Sequence, residues 1–500
     1  MWNFRDDSRD RVADTNLADK LQASTGTSLA KAYAIMADMP HWQQLRERAR
    51  EVKLHTLTHL DRYLDQFVKA AQANGATVTW ADTGAEACNY VVELARRHRV
   101  SRITKAKSMT GEEIEINHAL LRAGIEPVET DFGEMVCQLA GQAPSHVTAP
   151  IIQWSIEEVA RLLKDKGIVA EISAEIESAA ALSTQQSAVS TSGGTLRPGL
   201  EALAADSTGH DEAGHARRIA AAAKLVAAAR TALREKFLTA GMGISGANFA
   251  VAESGTIVLI ENEANIRLST TLPPVHVAIV GIEKLIPRLA DLGTFLSLLP
   301  VVATGQRQSG YVSLFHRPFG ELHIVLLDNG RSRLLADKQH YDILSCIRCG
   351  ACMNVCPVYR LVSGHGYNSI YPGPIGCVLT PHLRSEEYYR ELPFASSLCG
   401  ACAEICPVGI PLADHLLEWR DRIVAQGGRP RSEAAAFAVW AWLMQHPGLY
   451  RAGRPPAAWM EAMAGMFGPI QEWKATRDMP PIAAETFAKW WERNRASSED

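Results

Sequence analysis

Eight of the ten cysteines fall between Cys346 and Cys406, and this clustering constrains the chain more than any other feature. The run Cys346-Ile-Arg-Cys349-Gly-Ala-Cys352-Met-Asn-Val-Cys356-Pro357 has the C-x2-C-x2-C-x3-C-P spacing of bacterial-type ferredoxins. Two-residue intervals wrap three thiolates around one cluster, and Gly350 lets the backbone approach its sulfurs. The fourth cysteine is carried away to the other cluster. Zinc sites favour separated cysteine pairs over one dense run ending in Cys-Pro, and a disulfide framework does not suit a long intracellular chain. The run therefore predicts iron–sulfur chemistry.

The second run, Cys399-Gly-Ala-Cys402-Ala-Glu-Ile-Cys406-Pro407, lacks a first cysteine, and Ser396 occupies that slot. By the crossing rule, cluster one takes Cys346, Cys349, Cys352 and Cys406, while cluster two takes Cys356, Cys399 and Cys402. Cys377, within the forty or so residues between the runs, is one candidate for the missing ligand. The Ser396 oxygen, water or a three-iron cluster are the others, and Cys377 would then merely pack. An open iron position would leave cluster two more exposed and more reactive. The expected cofactors are two 4Fe-4S clusters, the second with a 3Fe-4S or open-site alternative. Cys88 and Cys137 sit among apolar neighbours and read as small buried hydrophobes.

Five hundred residues exceed what one core usually organises. A composition 47 % apolar and 21 % charged is that of an ordinary globular protein, and a net charge of −4 makes no case for nucleic acid. Residues 1–54 read as a helical arm with a basic run, Leu45 to Lys53. From residue 55 to 330, helical and strand patterns alternate: Leu57–Asn74, Ala76–Trp80, Gly84–His98, Arg102–Lys105, Ile125–Thr130, Ser145–Ala149 and Ile156–Lys164. This alternation predicts an α/β fold, a mostly parallel sheet with flanking helices. Residues 177–215 read as a mobile Ser, Thr, Gly and Ala-rich insertion, followed by a helix at Ala216–Leu238. Gly241-Met-Gly-Ile-Ser-Gly246 matches the dinucleotide-binding glycine pattern but follows a helix instead of a strand, so a helix cap and turn is expected. A hairpin at Phe249–Glu261 and a strand at His276–Val280 complete the domain. Residues 331–427 form the cysteine-bearing module.

Two polar sets in the sheet domain are candidates for ligand binding: Lys107, Ser108, Glu112, Glu113 and Asn117 after one strand, and Asn248, Glu253, Glu261 and Asn262 beside others. Solvated helix faces with turn-capping residues would look the same. No nucleophile with a matching base stands out, so catalytic residues are not assigned. Residues 428–500 hold six of the eleven tryptophans and read as helical, with a docking surface or membrane interface as one reading and packing as the other. The start of the chain shows no secretory or twin-arginine signal, and no window is long and apolar enough to span a membrane. A cytoplasmic location is expected, with at most peripheral contact at the inner face of the membrane.

Both cysteine runs and much of the sheet domain resemble the lactate utilization protein B (LutB) family of iron–sulfur subunits. The resemblance rests on Lys107-Ser108-Met109 with Glu112-Glu113-Ile114 and Asn117, on Glu129-Thr130-Asp131 with Gly133-Glu134, and on Pro144-Ser145-His146. It continues through Gly243 to Glu253, Glu261-Asn262-Glu263, Gly281-Ile-Glu-Lys284, Cys346 to Tyr359, Gly373 to Gly376 and the second cysteine run. The family implies a LUD domain of the NagB/RpiA/CoA-transferase-like type followed by an α-helical ferredoxin module. It further implies a part in oxidising L-lactate to pyruvate beside LutA-like and LutC-like companion subunits, with the electron acceptor left open. The alternative function is a ligand-binding or transferase-like LUD enzyme whose clusters are structural or redox-sensing.

Overall fold

Every residue of Val275–Gly281 is buried. Val277 and Ile279 pack into one apolar cluster, while the alternate residues Ala278 and Val280 pack into another on the opposite face. A strand covered on both sides belongs inside a parallel sheet, where apolar residues run continuously. The computed structural model, which describes residues 3–171, 212–428, 431–452 and 485–495, places it there. The chain divides into two units, Met1–Arg422 and Ile423–Asp500.

Among the described residues ten strands follow in chain order: β1 Thr77–Ala81, β2 Arg102–Lys105, β3 Glu126–Glu129, β4 Met242–Ser245, β5 Phe249–Val251, β6 Thr256–Glu261, β7 Val275–Gly281, β8 Leu285–Ile286, β9 Tyr311–Phe315 and β10 Glu321–Leu327. Six form a wholly parallel sheet in the order β1-β10-β7-β4-β2-β3. The helices Gly84–Arg97 and Ile116–Arg122 cover one face through residues such as Val91, Leu94 and Leu120. The helix Leu60–Ala73 and a second, four-stranded sheet, β8-β5-β6-β9, cover the other. The predicted α/β architecture is thus present. From β2 the chain moves outward to β3, and from β4 it moves the opposite way to β7. The β2–β4 junction is therefore a topological switch point, where carboxyl-terminal strand ends leave a crevice.

Three local expectations change. Ser145–Ala149 is a loop, not a strand, and is held by the ferredoxin module: the Tyr359 hydroxyl donates to the Ser145 carbonyl at 2.9 Å. Residues 242–245 of the glycine-rich stretch form interior strand β4 in place of the expected turn. The glycine is needed there because a Cβ on Gly243 would lie 1.6 Å from the Ser269 carbonyl oxygen. Finally, Leu57–Asn74 is broken at His59 between the helices Trp42–Thr58 and Leu60–Ala73. Of the insertion expected at 177–215, residues 177–211 lie outside the described residues, and Glu212 already begins the helix Glu212–Thr239.

The basic run Leu45–Lys53 is not a solvated face. Arg46 donates to the carbonyls of Cys406 (2.6 Å) and Ala403 (2.7 Å), Arg50 to that of Gly409 (2.6 Å), and buried Lys53 to that of Glu283 (2.5 Å). The arm thus pins the second cysteine run through its outward carbonyls. In the second unit, the helices Arg431–Met444 and Phe487–Arg495 expose Phe437, Trp440, Trp442, Trp490 and Trp491. Trp459 and Trp473 lie outside the described residues. No helix among the described residues is long and apolar enough to cross a membrane.

Candidate functional site

The two cysteine loops are built on one backbone plan. Arg348 and Leu398 hold left-handed φ values of 60° and 56° before Cys349 and Cys399, and Gly350 and Gly400 follow at 79° and 82°. In each loop the residue before the cysteine donates its N–H to the first slot, Arg348 to the Cys346 sulfur (3.4 Å) and Leu398 to the Ser396 hydroxyl oxygen (3.1 Å). Short helices, Ala351–Asn354 and Ala401–Glu404, then carry Cys352 and Cys402, the next cysteine of each loop, inward. Ser396 therefore stands in Cys346's structural place.

Cys346, Cys349, Cys352 and Cys406 line one cavity whose other walls are mostly apolar, among them Val147, Met353, Ile375 and Val408. This is the set expected for cluster one. Burial, with Cys346 and Cys406 alongside, pushes the Cys349 thiol well up, and burial pushes Cys406 to about 11. Without a cation such thiols stay protonated; iron would supply the compensating charge. The Cys406 sulfur also accepts the Ile410 N–H at 3.4 Å, a contact that favours the anionic form. Four convergent thiols, apolar walls and N–H donors to sulfur fit a 4Fe-4S cluster.

The second set gathers beside the first. Burial raises Cys402 to about 12, with Cys356 and Cys399 as its charged neighbours. Cys377, fully buried, is raised by burial and then by Cys356 and Cys402, which puts its thiol within their field. Cys399 is the exposed member. Cys88 and Cys137 behave as buried hydrophobes: burial lifts them to about 11 and about 12, and the Cys88 thiol donates to the Ile114 carbonyl at 3.2 Å.

A larger cavity, about 260 Å³, opens at the switch point between β2 and β4. Lys107 and Ser108 enter it after β2, Asn248 after β4, and Glu261 and Asn262 from the end of β6. Its far wall is Ile347, Arg348 and Cys349 of the first cysteine loop. Members of both predicted polar sets thus converge. Four do not. Glu112 pairs with buried Lys105 at 2.7 Å, and Asn117 donates to Glu129 at 2.6 Å. Burial opposes the charge on Lys105, but Glu129 and Glu112 hold it well above the usual lysine value. Glu253 accepts the Leu289 N–H at 3.0 Å, away from the cavity. Glu113 joins Arg331 and Tyr371 in a buried bridge between the sheet and the cysteine module.

Two cations that line the cavity stand outside the predicted polar sets, Lys284 and Arg348. Lys284 follows β7 at its carboxyl end, the position that should have marked it, and burial draws its ammonium down to about 8. Arg348 lies inside the cysteine spacing, where the sulfurs dominate attention. Glu263 also lines the cavity, and burial together with Asp131 pushes it up to about 7. Below the loop, the His146 Nδ1 accepts the N–H groups of Thr148 (3.1 Å) and Ala149 (3.1 Å), so its Nε2 carries the proton toward Asn354 Oδ1 at 3.1 Å.

Comparison with known proteins agrees with this architecture. Residues 64–326 match the LUD domain, residues 342–410 the 4Fe-4S dicluster domain, and residues 420–496 the lactate utilisation protein B C-terminal family. A lactate utilization protein B from Bacillus pumilus is 35% identical over 513 residues, covering 99% of this chain and 98% of its own length. The Escherichia coli protein described as an uncharacterized electron transport protein, YkgF, is 34% identical over 512 residues, again covering 99% and 98%. A lactate utilization protein B from Oceanobacillus iheyensis is 35% identical over 481 residues, covering 92% of this chain and 90% of its own. No solved structure matches. With its LUD domain, dicluster domain and C-terminal segment in that order, the chain belongs to the lactate utilization protein B family.

Proposed function

We propose that the chain is the iron–sulfur electron-transfer subunit of a complex that oxidises L-lactate to pyruvate, a reaction that releases two electrons and two protons. Cys346, Cys349, Cys352 and Cys406 would hold one 4Fe-4S cluster; Cys356, Cys399, Cys402 and Cys377 would hold the other. When bound, the clusters supply one-electron storage and transfer. The protein's own part is to keep water off the first thiol set with apolar walls and to donate the Arg348 and Ile410 N–H groups to sulfur. Such hydrogen bonds are among the groups that set cluster potential. The exposed Cys399 makes the second set the natural exit toward an acceptor. LutA-like and LutC-like subunits complete the complex.

The observation that carries this reading is the convergence of four thiols from both cysteine runs on one cavity. Anaerobically purified chain is expected to contain about eight iron and eight sulfide per molecule and to give two electron paramagnetic resonance signals on reduction. Cys402→Ser should abolish lactate oxidation by the assembled complex while the circular dichroism stays native. Zinc in place of iron, or undiminished growth on lactate after deletion of the gene, would overturn the assignment.

A further inference from the structure

The charges around the switch-point cavity are unevenly committed. Glu261 accepts the N–H groups of Ile266 (2.7 Å) and Arg267 (3.0 Å), Glu263 that of Phe132 (3.2 Å), and Asp131 that of Glu134 (3.0 Å). Each carboxylate is thus occupied at the start of a helix. The lysines are not. Lys284 is only 7% exposed yet has neither a hydrogen bond nor an ion pair among the described residues, and Lys107 has none either. Arg348, by contrast, pairs with Glu283 Oε1 at 3.6 Å and lies over the Tyr371 ring, 4.7 Å from its centroid, although its Nη1 and Nη2 atoms are buried without hydrogen-bond partners. A buried cation without an acceptor is unfavourable unless a ligand supplies one.

Two neutral donors are also available. Asn248 keeps its Oδ1 on the Ile260 N–H at 2.9 Å, which leaves its amide hydrogens facing outward from that bond. The Ser108 Oγ accepts the Gly111 N–H at 3.1 Å, which leaves its own proton to donate. The volume, about 260 Å³, lies just below the range of drug-sized ligand pockets (~300–1,000 Å³) and suits a metabolite of a few carbons better than a dinucleotide.

We infer that this cavity binds a short-chain carboxylate bearing an oxygen on its α-carbon, a 2-hydroxy or 2-oxo acid, with Lys284 and Lys107 anchoring the carboxylate and Ser108 and Asn248 meeting the α-oxygen. The anionic character follows from the uncommitted cations; the choice of a 2-hydroxy or 2-oxo acid rests on the function proposed above. The acid lies against the loop of Cys346 and Cys349, so this subunit holds substrate or product beside its own first thiol set.

Isothermal titration calorimetry on the full chain, purified anaerobically with its clusters, separates the possibilities. L-lactate, pyruvate, acetate and inorganic phosphate are titrated in turn. Lactate or pyruvate is expected to bind at one site, more tightly than acetate or phosphate. K284M and K107M should each weaken it about tenfold or more, the loss of one charge-assisted hydrogen bond, with iron content and melting temperature unchanged. Phosphate or acetate binding as well as the 2-oxygenated acids would overturn the inference in favour of a plain anion site. Wild-type affinity in both variants, or no binding by a chain that retains its clusters, would overturn it outright. Iron content and growth on lactate are measured separately, so a failure of the proposed electron-transfer role is distinguishable from a failure of this site.

Discussion

Replacing Glu113 with alanine should loosen the seam between the parallel sheet and the cysteine module by a predictable amount. The fully buried carboxylate accepts two hydrogen bonds from Arg331, through Nη1 and Nη2 at 2.8 Å each, one from Asn329 at 2.7 Å and one from the Tyr371 hydroxyl at 2.5 Å. Burial alone would raise its pKa, yet Arg331 and these donors together hold it below the ordinary glutamate value, so it stays ionised. Removing one partner of a buried pair costs ~3–5 kcal/mol. Arg331 keeps Glu283, its Nε 2.5 Å from Oε2, which places the loss near the lower bound, ~3 kcal/mol. Tyr371→Phe removes a single hydrogen bond to a charged group, worth ~1.5–3 kcal/mol. Because the Tyr371 hydroxyl donates to Glu113, the double variant should lose less than the sum, with a coupling of about 1–2 kcal/mol. Urea unfolding of the anaerobic chain, followed by circular dichroism and by visible absorbance, measures all three variants. A Glu113→Ala loss below about 1 kcal/mol, or additive losses within ~0.3–0.5 kcal/mol, would refute the bridge as a load shared by both domains.

Two further outcomes are expected. Cys377→Ala should convert the second cluster's resonance to that of a three-iron species while Ser396→Ala leaves it unchanged; the reverse would move the fourth ligand to Ser396, which already sits in Cys346's structural place. Burial draws His146 and His276 down to about 3, against an ordinary value of about 6.5. Between those pH values the unfolded chain binds more protons than the folded one, so stability falls as pH falls from about 6.5 toward 3, by up to ~1.4 kcal/mol per pH unit for each histidine. His276→Gln should therefore flatten the pH dependence of the urea midpoint across that window, and an identical slope in the variant would remove His276 from the account.

The parts of this molecule that could be read from its sequence are those specified by residues close together in the chain. The cysteine spacing is such a part, because a single loop wraps three sulfurs. So are the strand–helix alternation and the β5–β6 hairpin turned at Glu253-Ser254-Gly255. Two of the misread pieces depend on a distant partner. Gly243 is required in mid-strand only because the Ser269 carbonyl approaches it, and Ser145–Ala149 loses its strand-like reading to the Tyr359 hydroxyl 214 positions away. The cavity is the extreme case. Lys107, Asn248, Lys284 and Arg348 come from four separate stretches and share no local pattern. The strand order unites three of them, since β2, β4 and β7 are neighbours with parallel carboxyl ends. Arg348 is brought to them by the docking of the cysteine module through Glu113, Tyr371 and His146. A seam that positions a cation of the cysteine loop over the sheet's ligand crevice ties electron-transfer chemistry to ligand binding. Weakening Glu113 should therefore disturb both, and a glutamate outside the seam, such as Glu253, which accepts the Leu289 N–H, should disturb neither.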